Sequence, residues 1–247
     1  MIINLQNLKR KKILYDINGY VVLKNFFSKI KMKNLKENLF NYLSEKKNSF
    51  KKREIHLTKN LGIINSVHNL KWPYLKKLQK NKKLLKIVDY FIGEKTKQFG
   101  AEVFAKPAKV GMPAPIHQDN YFWNLNNAKG LTVWIALDKS TKKNGSIFYF
   151  KKSQKDGLVA HKASYAPGTS QEIKNTKILA KYQKVFPKLN QGDLLIHHCL
   201  VIHGSKKNNS KKNRAGLTLR FIGKSSKINQ FAKAKYENNL KKQLKRI

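Results

Sequence analysis

At 247 residues the chain is long enough for one sizeable core, and its net charge of +40, from 53 Lys and Arg against 13 Asp and Glu, is what most needs a reason. No stretch approaches the roughly twenty apolar residues that span a bilayer, and no apolar run with a cleavage site follows Lys9-Arg10-Lys11-Lys12. A soluble, cytoplasmic protein with no membrane partner is expected, and the single cysteine, Cys199, excludes an internal disulfide or a cysteine metal cage.

The basic residues are spread along the chain, at Lys51 to Arg53, Lys76 to Lys83, Lys206 to Lys212 and Lys241 to Arg246 among other places. Nearly all are Lys, whereas a reader of phosphates or guanines favours the planar fork of Arg. This pattern predicts a general surface charge and no specific nucleic-acid partner, although it would steer anions at low salt.

In chain order, Asn18-Gly19-Tyr20 leads into an apolar strand, Val21-Val22-Leu23, and Ser28 is placed to cap a helix that sets Leu35, Leu39, Tyr42 and Leu43 on one face. Residues 47–73 receive no element, because their one apolar run is broken at Gly62. A second helix is predicted from about Asn81 to Phe91, stopping at Gly93. From Gln98 the texture becomes short apolar runs between turns, giving candidate strands at 101–105, 131–137, 146–150, 193–203 and 215–222. The segment from His161 to Tyr182 lacks a clear period and reads as an irregular excursion at the mouth of the sheets. The tail, Gln230 to Arg246, reads as a peripheral helix. The whole is expected to be one domain over 1–247, with its core at about 17–222.

The chemistry concentrates at Ile116-His117-Gln118-Asp119-Asn120-Tyr121-Phe122-Trp123, which reads as extended. Residues i and i+2 of a strand share a face, so His117 and Asp119 can grip one ion. A His, a carboxylate and one remote His make the facial triad of a non-haem Fe(II) oxygenase, which leaves three metal positions open. In Ile196-His197-His198-Cys199-Leu200-Val201-Ile202-His203, alternation sets His197, Cys199, Val201 and His203 on one face and His198 on the other. Any of the three histidines could complete the triad. His203 is favoured because Gly204 and Ser205 follow it and Arg214 opens the next strand, placed to hold a carboxylate by two parallel hydrogen bonds.

These residues resemble the phytanoyl-CoA dioxygenase family of Fe(II)/2-oxoglutarate oxygenases, which carries a His-Gln-Asp triplet, a Gly-Asp-led strand ending in His-Gly-Ser, and a downstream Arg. The chain is similar to it also at Asn18 to Val22, Phe104-Ala105-Lys106-Pro107 and Leu131 to Asp138. The resemblance implies a mainly β fold with flanking helices, a double-stranded β-helix or cupin-like jelly roll. It implies Fe(II) on His117, Asp119 and His203, and 2-oxoglutarate held at its distal carboxylate by Arg214 and Ser205, with Gln118 and Trp134 lining the co-substrate pocket. With O2 these would hydroxylate an aliphatic C–H bond of a small metabolite or acyl-thioester and release succinate and CO2. Asp119, not being a small residue, leaves no room for a halide ligand. The family's upstream Lys has no match near Asn65 to His68, and Lys151-Lys152-Ser153-Gln154 stands where a Pro-Gly-Ser-His stretch is usual.

Tyr121, Trp123 and His161 are candidate substrate contacts. Two alternatives compete. Arg214 and Arg220 share the Arg-x5-Arg spacing of AlkB-type nucleic-acid demethylases, against which stands the eleven-residue step from His203 to Arg214. A non-catalytic β-barrel binding module is the other.

Overall fold

The computed structural model describes residues 5–58, 61–166 and 168–244. Helix α1 (Leu5–Asn18) leads into strand β1 (Tyr20–Leu23), and the cap at Ser28 opens α2 (Lys29–Glu45) by accepting the Lys31 N–H at 3.3 Å. Residues 47–73, given no element from sequence, contain a short hairpin, β2 (Ile55–Leu57) and β3 (Ile64–Val67). Then come α3 (Leu75–Gln79) and α4 (Lys82–Ile92). Asn81 caps α4, and Gly93 ends it in the left-handed region at φ 86°, where a glycine carries no steric penalty. Strands β4 (Thr96–Lys106), β5 (Ala114–His117), β6 (Gly130–Ala136) and β7 (Ile147–Phe150) follow, with the short α5 (Asp119–Trp123) after β5. The chain closes with β8 (His161–Ala166), β9 (Thr169–Ile173), β10 (Lys184–Val185), β11 (Leu194–His198), β12 (His203–Ser205), β13 (Arg214–Gly223) and α6 (Gln230–Leu244).

One antiparallel sheet runs β1-β11-β6-β13-β4-β3-β2 and a second runs β10-β7-β12-β5, while β8 and β9 pair with each other. This is the cupin-like double-stranded β-helix. Alternation divides the large sheet. Val133 and Ile135 of β6, Leu194 and Ile196 of β11, and Leu217 and Leu219 of β13 pack with Leu35, Leu39 and Leu43 of α2 and Leu84, Val88 and Phe91 of α4 in one dry core. The alternate residues, Thr132 and Trp134 of β6 and Arg214, Thr218 and Arg220 of β13, face a cavity of about 930 Å³ between the two sheets. Helices on one face therefore leave the other free for chemistry.

Three expectations need correction. The run from Ile116 to Trp123 is not extended throughout: β5 ends at His117, Gln118 keeps φ −122° and ψ 133°, and Asp119 opens a helix. The expected strand 193–203 is two strands, because the Val201 N–H bonds the His198 carbonyl at 3.0 Å and the turn carries the chain from one sheet to the other. The irregular excursion is the hairpin β8–β9 followed by a 3₁₀ turn at Thr176–Lys181. The tail forms helix α6, mostly exposed, with Tyr236 meeting Tyr121 and Phe122 edge-on and Gln243 buried against Gln171.

Candidate metal centre and its cavity

β5 and β12 pair so that His117 and His203 are direct Cα partners, with ring centroids 4.3 Å apart. Each ring is fixed by its own strand. His117 Nδ1 donates to the Pro115 carbonyl at 2.8 Å, and His203 Nδ1 donates to Val201 at 3.0 Å. Both rings thus present a bare Nε2 inward, as a metal ligand requires. Asp119, lifted by the first turn of α5, places Oδ1 at 3.7 Å from each of those nitrogens, too far for a hydrogen bond. The three ligand atoms lie within 4.8 Å of one another.

The other carboxylate oxygen is fully engaged by protein. Thr132 Oγ1 donates to Asp119 Oδ2 at 2.7 Å and His197 Nε2 donates at 3.0 Å, while the Tyr149 hydroxyl donates to His197 Nδ1 at 2.9 Å. Burial would raise the Asp119 carboxyl, but the His117 and His197 contacts and the neighbouring imidazoles hold it well below the usual range. Burial and the neighbouring His117 push His203 well below the ordinary imidazole value, so its nitrogen stays free of a proton. Two imidazole nitrogens and one carboxylate oxygen, all aimed at one point, fit a divalent iron. Of the three histidines left open by sequence, His203 completes this set. His197 braces the carboxylate from behind, and His198 turns away toward Tyr15, its Nδ1 accepting the Leu200 N–H at 3.1 Å.

Arg214 is 1% exposed on the cavity floor, its guanidinium 5.4 Å over the Trp134 ring. Nη2 donates to the Gly145 carbonyl, while Arg214 Nε and Trp134 Nε1 are buried without partners among the described residues. Gly216 makes room for the indole, since a Cβ there would overlap it. Lys106, the Cα partner of Arg214 on β4, is also buried and donates from Nζ to the carbonyls of Met112 and Lys206. Burial, with Arg214 beside it, pulls Lys106 down to about 6. Ser205 lines the same end. A buried guanidinium and a buried amine, neither paired with a carboxylate among the described residues, fit the distal carboxylate of 2-oxoglutarate.

Gln118 is fully buried, outside the cavity wall. Its amide donates to Gly157 and Leu200 and accepts from Val159, so its polar groups are spent on backbone. His161 is committed likewise, with Nε2 accepting the Gln118 N–H at 3.1 Å and Nδ1 donating to Val159 at 2.8 Å, and burial takes it down to about 4. Tyr121 stacks on that imidazole at 4.1 Å. Of the three candidate substrate contacts, Trp123 lines the cavity and Tyr121 and His161 do not. Nor does the segment Lys151 to Gln154 reach it: Ser153 caps the Ile202 N–H and Gln154 ties down the end of α1. Sequence reasoning missed Thr132, Tyr149, Lys106, and the polar wall that His68 and Glu102 form beside Arg220. For Thr132 and Lys106 the signal was alternation within stretches already singled out.

Comparison with known proteins agrees with this geometry. At 28% identity over 167 residues the chain is similar to the phytanoyl-CoA dioxygenase domain-containing protein 1 homolog of Caenorhabditis briggsae, over 62% of this chain but only 56% of that one, so it spans little more than half of that relative. It is 24% identical over 216 residues to a probable alpha-ketoglutarate-dependent hypophosphite dioxygenase of Stutzerimonas stutzeri, covering 83% and 75% of the two chains. In fold it matches the crystal structure of EctD from S. alaskensis with bound Fe, at a TM-score of 0.75 and 19% identity over 89% of this chain and 78% of that one. The family model described as phytanoyl-CoA dioxygenase matches residues 15–216, from the end of α1 to the start of β13. By that match and by the ligand set within it, the chain belongs to the phytanoyl-CoA dioxygenase family of Fe(II)- and 2-oxoglutarate-dependent oxygenases.

Proposed function

We propose that the protein is a 2-oxoglutarate-dependent dioxygenase that hydroxylates an aliphatic C–H bond of a small metabolite or acyl-thioester, with release of succinate and CO2. The observation that carries this reading is the convergence of His117 Nε2, His203 Nε2 and Asp119 Oδ1 beside a floor where the buried guanidinium of Arg214 meets no carboxylate within ion-pair distance among the described residues and keeps Nε without a partner. Fe(II) with 2-oxoglutarate and O2 supplies the oxidising power in such a site, and the protein supplies orientation and dryness. Arg214 and Ser205 hold the distal carboxylate, with Trp134 as the apolar wall beside it. Asp119 keeps Oδ1 toward the metal because Thr132 and His197 occupy Oδ2. Gln118 and His161 fix the backbone between the first two ligands. Trp123 and its aromatic neighbours Phe99 and Phe122 form the wall for the substrate's hydrocarbon. The demethylase and non-catalytic barrel readings gain nothing from the family match.

The test is anaerobic addition of Fe(II) and 2-oxoglutarate, read by the metal-to-ligand charge-transfer colour, followed by a metabolite screen for stimulated succinate release. His117→Ala, Asp119→Ala and His203→Ala each lose iron and turnover, whereas His198→Ala keeps both. A wild-type protein that gives neither colour nor succinate overturns the reading.

A further inference from the structure

Along the cavity face of β13 the side chains run Arg214, Gly216, Thr218, Arg220, so two guanidiniums stand at opposite ends of a row of small residues. Arg214 has a carboxylate to hold. Arg220 does not, and its position is informative. Its Cα partner on one side is Thr132, whose hydroxyl rests on Asp119; on the other it is Gly100, over which the guanidinium lies so closely that a Cβ there would overlap it. Among the described residues its one ionic neighbour is Glu102 Oε1 at 3.6 Å, beyond hydrogen-bond length, and that same oxygen accepts from His68 Nδ1 at 2.7 Å. A structural Arg–carboxylate pair closes into short, bidentate bonds. This one has not closed, and Arg220 Nε is buried with no partner among the described residues.

The charge around it is unbalanced as well. With Arg214 and Lys106 assigned to 2-oxoglutarate and Asp119 to the metal, the cavity keeps Lys52, Arg53, Arg220 and Lys233 against Glu102 and Glu237. The same cavity is lined by Phe99, whose ring lies 5.1 Å from the Arg220 guanidinium, and by Phe104, Phe122 and Trp123. Resting on the dioxygenase reading above, we propose that Arg220, steadied by Glu102 and His68, receives an oxyanion of the substrate, so that the substrate is a carboxylate- or phosphate-bearing molecule with an apolar body. Glu102 sets the guanidinium's position without consuming its donors, and the aromatic wall takes the hydrocarbon.

The experiment uses the anaerobic Fe(II) and 2-oxoglutarate protein at fixed ionic strength, with octanoate, octyl phosphate and octanol as probes of equal chain length. Binding is read by calorimetry, and the charge-transfer colour is recorded throughout. At least one anionic probe binds ten-fold or more tighter than octanol to the wild type. Arg220→Met abolishes that preference while the 2-oxoglutarate colour persists, and Arg220→Lys retains part of it. Lys95→Met, removing a surface cation, leaves the preference intact and so excludes the overall charge as its source. Equal binding of the three probes to the wild type, or a preference that survives in Arg220→Met, overturns the proposal while the colour leaves the dioxygenase reading standing. Absence of the colour from the wild type overturns both.

Discussion

Arg214 brings its charge to the cavity floor with one backbone carbonyl as hydrogen-bond partner, and burial lowers its pKa to about 10, leaving it cationic at neutral pH. An arriving carboxylate completes a pair that the protein leaves half-made. Arg214→Met removes a charge-assisted bond worth roughly 1.5–3 kcal/mol, which is about 10- to 150-fold in 2-oxoglutarate affinity. Iron stays bound, and Arg220→Met leaves that affinity nearly unchanged, because its Cα lies about 20 Å further along the strand at roughly 3.3 Å per residue. Titrating the charge-transfer colour measures both. Lys106 adds a proton linkage. Held at about 6 by burial first and Arg214 second, it is neutral above that pH in the free protein. A carboxylate beside it favours the charged form, so 2-oxoglutarate binding at pH 7.5 takes up as much as about one proton, and the uptake vanishes at pH 5, where the amine is already charged. Calorimetry in buffers of different ionisation enthalpy reads this, and Lys106→Met loses it. His203 was legible because Gly204, Ser205 and Arg214 mark its register. His197 was ambiguous because alternation along a strand cannot say which face of a carboxylate an imidazole approaches.

The elements that sequence reasoning missed share a physical cause. β8 is buried on neither face, and the buried face of β9 is Thr169, Gln171 and Ile173, two of them polar, so neither strand carries an apolar alternation. β2 and β3 are three and four residues long at the sheet edge, too short for a period to show. α1 buries Tyr15 alone and is otherwise lysine-rich. By contrast α2 and α4 were readable because a leucine stripe faces the large sheet. Strand β11 was overrun because alternation persists through Cys199 to Ile202 while the backbone turns. The hairpin and α6 together wall the open side of the cavity, joined through the Ser170–Tyr236 contact at 3.3 Å and the Gln171–Gln243 bond at 3.2 Å. A chain stopped after Asn229 therefore keeps iron and 2-oxoglutarate but admits water. Its succinate output per hydroxylated product rises above the wild-type ratio, with little change in the colour titration, and measuring both products checks it.

For the molecule as a whole the charge of +40 is a matter of surface. The arginines are dispersed along the sequence, and the buried Arg214 and Lys106 belong to the cavity. DNA should bind weakly, with no preference among sequences or for single over double strands, and affinity should fall steeply with log[salt] as counterions are released. Filter or polarisation assays between low and physiological salt test this. Tight, lesion-dependent binding at physiological salt would favour nucleic acid as substrate. Among the described residues no helix is long and apolar enough to cross a membrane.

The turn between β11 and β12 holds Cys199 fully buried, its thiol against the Ala128 carbonyl, with burial and the Asp119 charge raising its pKa. A thiol in that state is neither nucleophilic nor reachable, so the native protein resists alkylation although an O2-handling site lies one strand away. Being the single sulfhydryl of the chain, it becomes a label that reports only on opening. Under a pulse of maleimide, the modified fraction measures how often the joint between the two sheets comes apart. Iron and 2-oxoglutarate, by tying both sheets together, should lower it.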